Sequence, residues 1–165
     1  MPIIGHGDIA SVLTDREDRI FFASGVSNSQ ETRESAYLRE KTLLLAQEKI
    51  RHLVYFSSLS IFYSDTRYAQ HKLEMETLVK ANFPRYAIIR LGNITWGTNP
   101  HTIINSFRAR IRRHEPLIIR DAYRYVVDKS EFLYWVSMIP PWSCEISITG
   151  QRLSIAQIVE KYGYD

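Results

Sequence analysis

His52-Leu53-Val54-Tyr55-Phe56-Ser57-Ser58-Leu59-Ser60-Ile61-Phe62, followed by the pair Tyr68 and Lys72, is the stretch on which the reading of this chain turns. His52 to Phe56 is a short apolar run of strand length and composition. The serines at its end read as a turn, and a helix follows from about Arg67 to Lys80, carrying Ala69, Leu73, Met75, Leu78 and Val79. Strand, polar turn and amphipathic helix in that order make one unit of an α/β chain.

Outward from this unit the same alternation continues. Upstream, Ile3-Ile4 lead into Gly5-His6-Gly7, after which Asp8 is placed to cap a short helix through Leu13. Arg19 to Ala23 is near-continuously apolar, which suits a parallel strand covered on both faces. Ser24 to Glu34 is a polar loop, and Ala36 to Ile50 is expected as a helix with Tyr37, Leu38, Leu44, Leu45 and Ile50 on its apolar stripe. Downstream, Tyr86 to Leu91 is a strand and His101 to His114 a helix stopped by Pro116. Leu117 to Ile119 and Tyr123 to Val127 are short strand candidates, Glu131 to Met138 a helix, Glu145 to Thr149 a strand, and Ser154 to Tyr162 a last helix. The expected architecture is α/β, a truncated Rossmann-like parallel sheet with flanking helices and a small C-terminal extension.

The 165 residues match one domain, read as a core over residues 1–98 and a trimmed region over 99–165. With 45% hydrophobic and 24% charged residues, a disordered or collagen-like chain is excluded. A net charge of +3 is too small for charge-driven binding to nucleic acid. The lone Cys144 cannot form an internal disulfide, and no apolar run is long enough for a membrane helix; both fit a cytoplasmic protein. Five scattered histidines without ligand spacing predict no metal site.

Three features point to chemistry. Gly5-His6-Gly7-Asp8-Ile9-Ala10 fits G-x-G-x-x-G/A, in which glycines let a helix N-terminus approach a pyrophosphate, although Asp8 brings a negative charge close to that site. The plain alternative is a glycine turn between strand and helix. Tyr68 and Lys72 stand at i and i+4, where an ammonium can lower the phenol's pKa and make Tyr68 a proton donor or acceptor. Tyr37 with Lys41 and Tyr125 with Lys129 have the same spacing, and only Tyr68 follows a strand ending in serines. Ser58 or Ser60 could then polarise the same substrate oxygen, or the serines could merely cap a turn. Arg108, Arg110, Arg112 and Arg113 form a basic helix end, which reads first as a solvated face and second as a contact for nucleic acid or an anionic surface.

Taken in order, these residues resemble the extended short-chain dehydrogenase/reductases, in particular the NAD-dependent epimerase/dehydratase group acting on nucleotide sugars. The resemblance rests on the glycine turn, Phe22-Ala23-Ser24-Gly25, Val54 to Ser60, the Tyr68/Lys72 pair and Arg90-Leu91-Gly92-Asn93-Ile94-Thr95-Trp96-Gly97. Further along it continues through Arg124-Tyr125-Val126-Val127-Asp128 and Ile148-Thr149-Gly150 with Ser154-Ile155. It implies Tyr68 as acid/base, Lys72 on the nicotinamide ribose, and Ser58 as the polarising hydroxyl with Ser60 as the alternative. It further implies Gly5, Gly7 and Ala10 at the pyrophosphate turn, Ala23 and Ser24 on the cofactor side, and Asn93 on the substrate side. The cofactor implied is NAD or NADP, and the reaction is hydride transfer on a nucleotide sugar leading to epimerisation, dehydration or reduction. A homodimer through the helices 36–50 and 67–80 is implied as well, with Leu43 and Met75 as apolar surplus.

The chain also departs from that pattern. Two strands and a helix are missing between the glycine turn and Phe22, the stretch that normally selects NAD or NADP, and no Asn of the family type stands within Tyr37 to Thr42. A non-catalytic relative that binds a nucleotide or sugar nucleotide is therefore the second reading.

Overall fold

The computed structural model describes residues 2–165 and builds two sheets. Five parallel strands make the main sheet in the order β1 (Ile3–Ile4), β2 (Arg19–Phe22), β3 (His52–Ser58), β4 (Tyr86–Leu91), β7 (Cys144–Ile148). The smaller sheet joins β5 (Asn93–Ile94), β6 (Tyr123–Val127) and β8 (Gln151–Ser154), with β5 parallel and β8 antiparallel to β6. The helices are α1 (Glu34–Leu45), α2 (Arg67–Asn82), α3 (Ile103–Arg112), α4 (Lys129–Ser137) and α5 (Ile155–Tyr162). The α/β reading, with a parallel sheet and flanking helices, is the fold observed.

The period-2 alternation of strands explains how the sheet is covered. Ile20, Phe22, Leu53, Tyr55 and Ile88 point to one face, where Leu44 of α1 and Met75 and Val79 of α2 meet them. Phe21, Val54, Phe56, Ala87, Ile89 and Leu91 point to the other and pack with Phe132 of α4. Both faces being covered, the central strands are mostly apolar on both sides, as buried parallel strands are. A third cluster, Ile104, Phe107, Val126, Ile155, Ile158 and Val159, seats α3 and α5 on the small sheet. Because α4 and β7 come from beyond residue 98, the two stretches of sequence interleave in one core.

Several element boundaries differ from expectation. α1 stops at Leu45 rather than Ile50, because the Glu48 carboxylate takes the backbone N–H groups of Ile50 and Arg51 and bends the chain toward β3. Leu117 to Ile119 makes no strand; Ile118 and Ile119 are exposed and lack a neighbouring strand. Asp8 caps nothing, since the short 3-10 turn Ala10–Val12 starts after Ile9 without a side-chain cap. β5 and β8 were not foreseen: each is too short for a periodic signal. Against the expected apolar surplus for a dimer, Met75 is fully buried and Leu43 packs partly against the core; the exposed large apolar residues of α1 and α2 are Leu38, Leu45 and Leu73.

Candidate functional site

The carboxyl ends of β1 to β4 open into a cleft of about 1000 Å³, where open α/β sheets bind their ligands. Gly7, Ala23, Ser24, Ser58, Ser60, Tyr68, Lys72 and Asn93 all line it, so eight candidates spread over 87 residues of sequence reach one space. Gly5 and Ala10 do not. Gly5 has φ +121°, and a Cβ there would stand 2.3 Å from the Ala23 carbonyl oxygen, so this glycine serves the close approach of β1 to the end of β2. Ala10 is buried.

The other Tyr-x-x-x-Lys matches resolve. Tyr37 donates its hydroxyl hydrogen to the Glu31 carbonyl at 2.7 Å, while Lys41 pairs with Glu74 at 2.5 Å. Tyr125 lies in strand β6, where the helical spacing has no meaning. Only Tyr68 and Lys72 share a helix and the cleft, the Lys72 Nζ standing 5.5 Å from the centre of the Tyr68 ring. Thr66 starts that helix, its hydroxyl accepting from the Ala69 N–H at 3.2 Å.

The serines divide the work. Ser58 Oγ accepts the Ser60 N–H at 3.1 Å, capping the 3-10 turn Leu59–Phe62, and its own hydrogen remains available to donate. Ser57 and Ser60 have buried Oγ atoms with no partner among the described residues. A buried hydroxyl without a partner costs stability, and a ligand oxygen entering the cleft would satisfy it. Ser60 thus has the freer hydroxyl of the two candidates. Asn93 sits on β5 and spends its amide on the Tyr125 carbonyl at 3.1 Å.

Asp8 is turned to other duties as well. Its carboxylate accepts the backbone N–H groups of Thr98 and Asn99 at 3.0 and 2.9 Å, and the Trp96 indole donates to its carbonyl. Gly97, at φ +95°, allows this clasp, for a Cβ there would lie 2.1 Å from Asp8 Cγ. The block Gly92 to Gly97 therefore locks onto the glycine turn.

One residue central to this wall escaped the sequence reading. Glu40 of α1 is fully buried, and its carboxylate takes four donors. The Tyr55 hydroxyl at 2.7 Å and Lys72 Nζ at 3.4 Å reach Oε1, while the Val26 N–H and His71 Nε2, both at 2.8 Å, reach Oε2. Since a carboxylate only accepts, His71 carries its proton on Nε2. Burial opposes the Glu40 charge, but Lys72, His71, Val26 and Tyr55 together outweigh it and hold its pKa at about 2. Burial also disfavours the Lys72 ammonium, yet Glu40 beside it keeps the amine's pKa above the ordinary lysine value. The Tyr55 phenol, buried and facing Glu40, is pushed far up and stays a donor. The sequence did hold a signal: Glu40 lies between Tyr37 and Leu44 on the buried stripe of α1, an acid where an apolar residue belongs.

No family model and no curated protein sequence matches the chain. Solved structures do. The Bordetella bronchiseptica enzyme WbmG in complex with NAD and UDP aligns with a TM-score of 0.66 at 15% identity, over 87% of this chain and 56% of that one. The Thermus thermophilus UDP-glucose 4-epimerase in complex with NAD aligns at 0.64 and 15% identity, over 88% and 61%. The Bacillus anthracis dTDP-4-dehydrorhamnose reductase in complex with NADP aligns at 0.65 and 14%, over 86% and 61%. The chain thus carries the Rossmann-like fold of these NAD(P)-bound epimerase and reductase structures, across little more than half their length.

Proposed function

We propose that the cleft binds a nicotinamide dinucleotide and a nucleotide sugar, and that Tyr68, Lys72 and a serine hydroxyl carry hydride-transfer chemistry on the sugar. The observation that carries this reading is the convergence of Ser58, Ser60, Tyr68 and Lys72 on one cleft at the carboxyl ends of the parallel strands. The solved structures of like fold, bound to NAD or NADP, support the same reading.

The residues present fit the nicotinamide half of such a cofactor. Ser57 and Ser60 offer buried hydroxyls with no partner among the described residues, and Lys72 offers an ammonium at the cleft wall. A bound cofactor supplies the hydride acceptor or donor. Tyr68 then takes or returns the hydroxyl proton of the substrate, Lys72 holds positive charge beside that phenol, and Ser60 or Ser58 hydrogen-bonds the oxygen that becomes a carbonyl. At the other end, Gly7 lines the cleft with its Cβ direction open, which leaves room for a phosphate to approach the backbone. Past β1 the sheet gains no further strand among the described residues.

The test is turnover. Incubation with NAD or NADP and a panel of nucleotide sugars should give a keto, epimerised or dehydrated product by mass spectrometry, and Tyr68→Phe should abolish it. Cofactor binding without any product would instead favour the non-catalytic nucleotide-binding reading. Pairing of two copies through the exposed Leu38 and Leu73 of α1 and α2 belongs to the same proposal. A monomer by light scattering at micromolar concentration counts against it.

A further inference from the structure

We infer that Glu40 is the positioning residue of the cleft: it fixes the Lys72 ammonium and, through the same carboxylate, ties the loop after β2 to the wall that carries Tyr68. The inference rests on the proposed reading of the cleft for its purpose, though not for its geometry. Four elements meet at this one side chain. Tyr55 comes from β3, His71 and Lys72 from α2, Val26 from the loop after β2, and Glu40 itself from α1.

Lys72 would otherwise be poorly placed. A lysine has three rotatable donors on a flexible stem and adopts no fixed direction without partners. Here two of its hydrogens are committed, to Glu40 at 3.4 Å and to the Tyr55 hydroxyl at 3.2 Å, which leaves one for a ligand in the cleft. Tyr55 is in turn held by Glu40, so the amine, phenol and carboxylate close a triangle. The groups facing the amine are Glu40 from α1, Tyr55 from β3, Tyr68 from its own helix, and more distantly Tyr37. Glu40 is the acidic group among them that contacts it.

The loop contact gives the arrangement its second purpose. Gly25 passes so close that a Cβ there would lie 2.8 Å from Lys72 Nζ and 3.0 Å from Glu40 Oε1. Val26 is anchored to Oε2, and Ser24 and Gly25 line the cleft beside it. The carboxylate therefore sets the height of this loop over the ammonium as well as the ammonium itself.

The experiment follows the Lys72 amine directly, by NMR titration of protein labelled with 13C at lysine Cε, the signal assigned by its loss in Lys72→Arg. In wild type Lys72 should titrate above the surface lysines, and in Glu40→Gln at clearly lower pH than in wild type. A wild-type Lys72 that titrates below the surface lysines overturns the inference, and this needs no variant should Glu40→Gln fail to fold. So does an unchanged titration in a folded Glu40→Gln. The second readout is NADH affinity against pH. Wild type should be flat from pH 7 to 10, whereas Glu40→Gln should lose about tenfold at the alkaline end, the equivalent of one charge-assisted hydrogen bond. A uniform loss across the range would indicate a merely structural role and overturn the positioning assignment. If wild type binds neither NADH nor NADPH at millimolar concentration, the reading of the cleft fails, and the Lys72 titration alone decides the role of Glu40.

Discussion

The two walls of the cleft are built to different standards. The β3–α2 wall stands on a seven-residue strand buried along nearly its whole length, with Lys72 and His71 paired to Glu40. The opposite wall hangs on β1, a two-residue edge strand whose residues are only half-buried, followed by the glycine turn and one 3-10 turn. Positioned proton chemistry needs side chains held within a fraction of an ångström, which central strands and packed helices provide. A phosphate turn needs backbone access and little else. The β3–α2 wall has the rigidity that the first would need, and the β1 side has only a short strand and a glycine turn.

The largest effect expected from testing this contrast lies at Tyr68. In any assay that detects turnover, Tyr68→Phe should lower the rate by about 10²- to 10⁴-fold while leaving thermal stability nearly unchanged, and Tyr37→Phe should not lower the rate comparably. Full activity in Tyr68→Phe would remove the phenol from the mechanism. Next come the two walls as structures. Phe56→Ala, in the interior of β3, should cost about 3–5 kcal/mol in denaturant unfolding, and Ile3→Ala on the edge strand less than about 2 kcal/mol. Equal costs would mean that β1 is as firmly seated as the central strands. Within the glycine turn, Gly5→Ala should destabilise by about 2–3 kcal/mol, because φ +121° and the Ala23 carbonyl at 2.3 Å both oppose a Cβ. Gly7→Ala meets nothing within 4 Å and should stay within about 0.5 kcal/mol of wild type. A drop in NADH affinity in a fully stable Gly7→Ala would locate the phosphate there.

The pH dependence of stability sharpens the contrast further. Glu40 has its pKa held at about 2 in the fold against 4.5 unfolded, so its contribution is complete above pH 4.5 and is lost as the pH falls toward 2. His52, buried at the start of β3, has its pKa lowered from 6.5 chiefly by desolvation, so the unfolded state takes up the proton first and stability begins to fall below pH 6.5. His52→Gln should flatten the upper part of the acid limb, and Glu40→Gln the lower part. A single acid transition unaffected by either substitution would show that neither group is coupled to folding.

The fold was legible in the sequence because runs such as Arg19 to Ala23 and Tyr86 to Leu91 are largely buried on both faces and so carry a near-continuous apolar signal. β5 and β8 carried none, being short pieces held by pairing with β6 rather than by their own pattern. The ends of α1 and the fate of Asp8 depended on single side chains choosing backbone partners, Glu48 within its own turn and Asp8 with Thr98 and Asn99, ninety residues away. In the site, Tyr68 and Lys72 were picked out among three equal matches by what precedes them in the chain. Glu40 is not legible as a site residue because its partners lie on three other segments, the loop after β2, β3 and α2, and nothing local in the sequence joins them.

Calorimetric titration of NADH and NADPH into the wild-type protein and into Lys72→Ala tests the central claim most directly. The account predicts that one of the two dinucleotides binds wild type with a Kd of about 100 μM or tighter, and that Lys72→Ala weakens it about tenfold or more. No binding of either at millimolar concentration, or equal binding by wild type and Lys72→Ala, would contradict it.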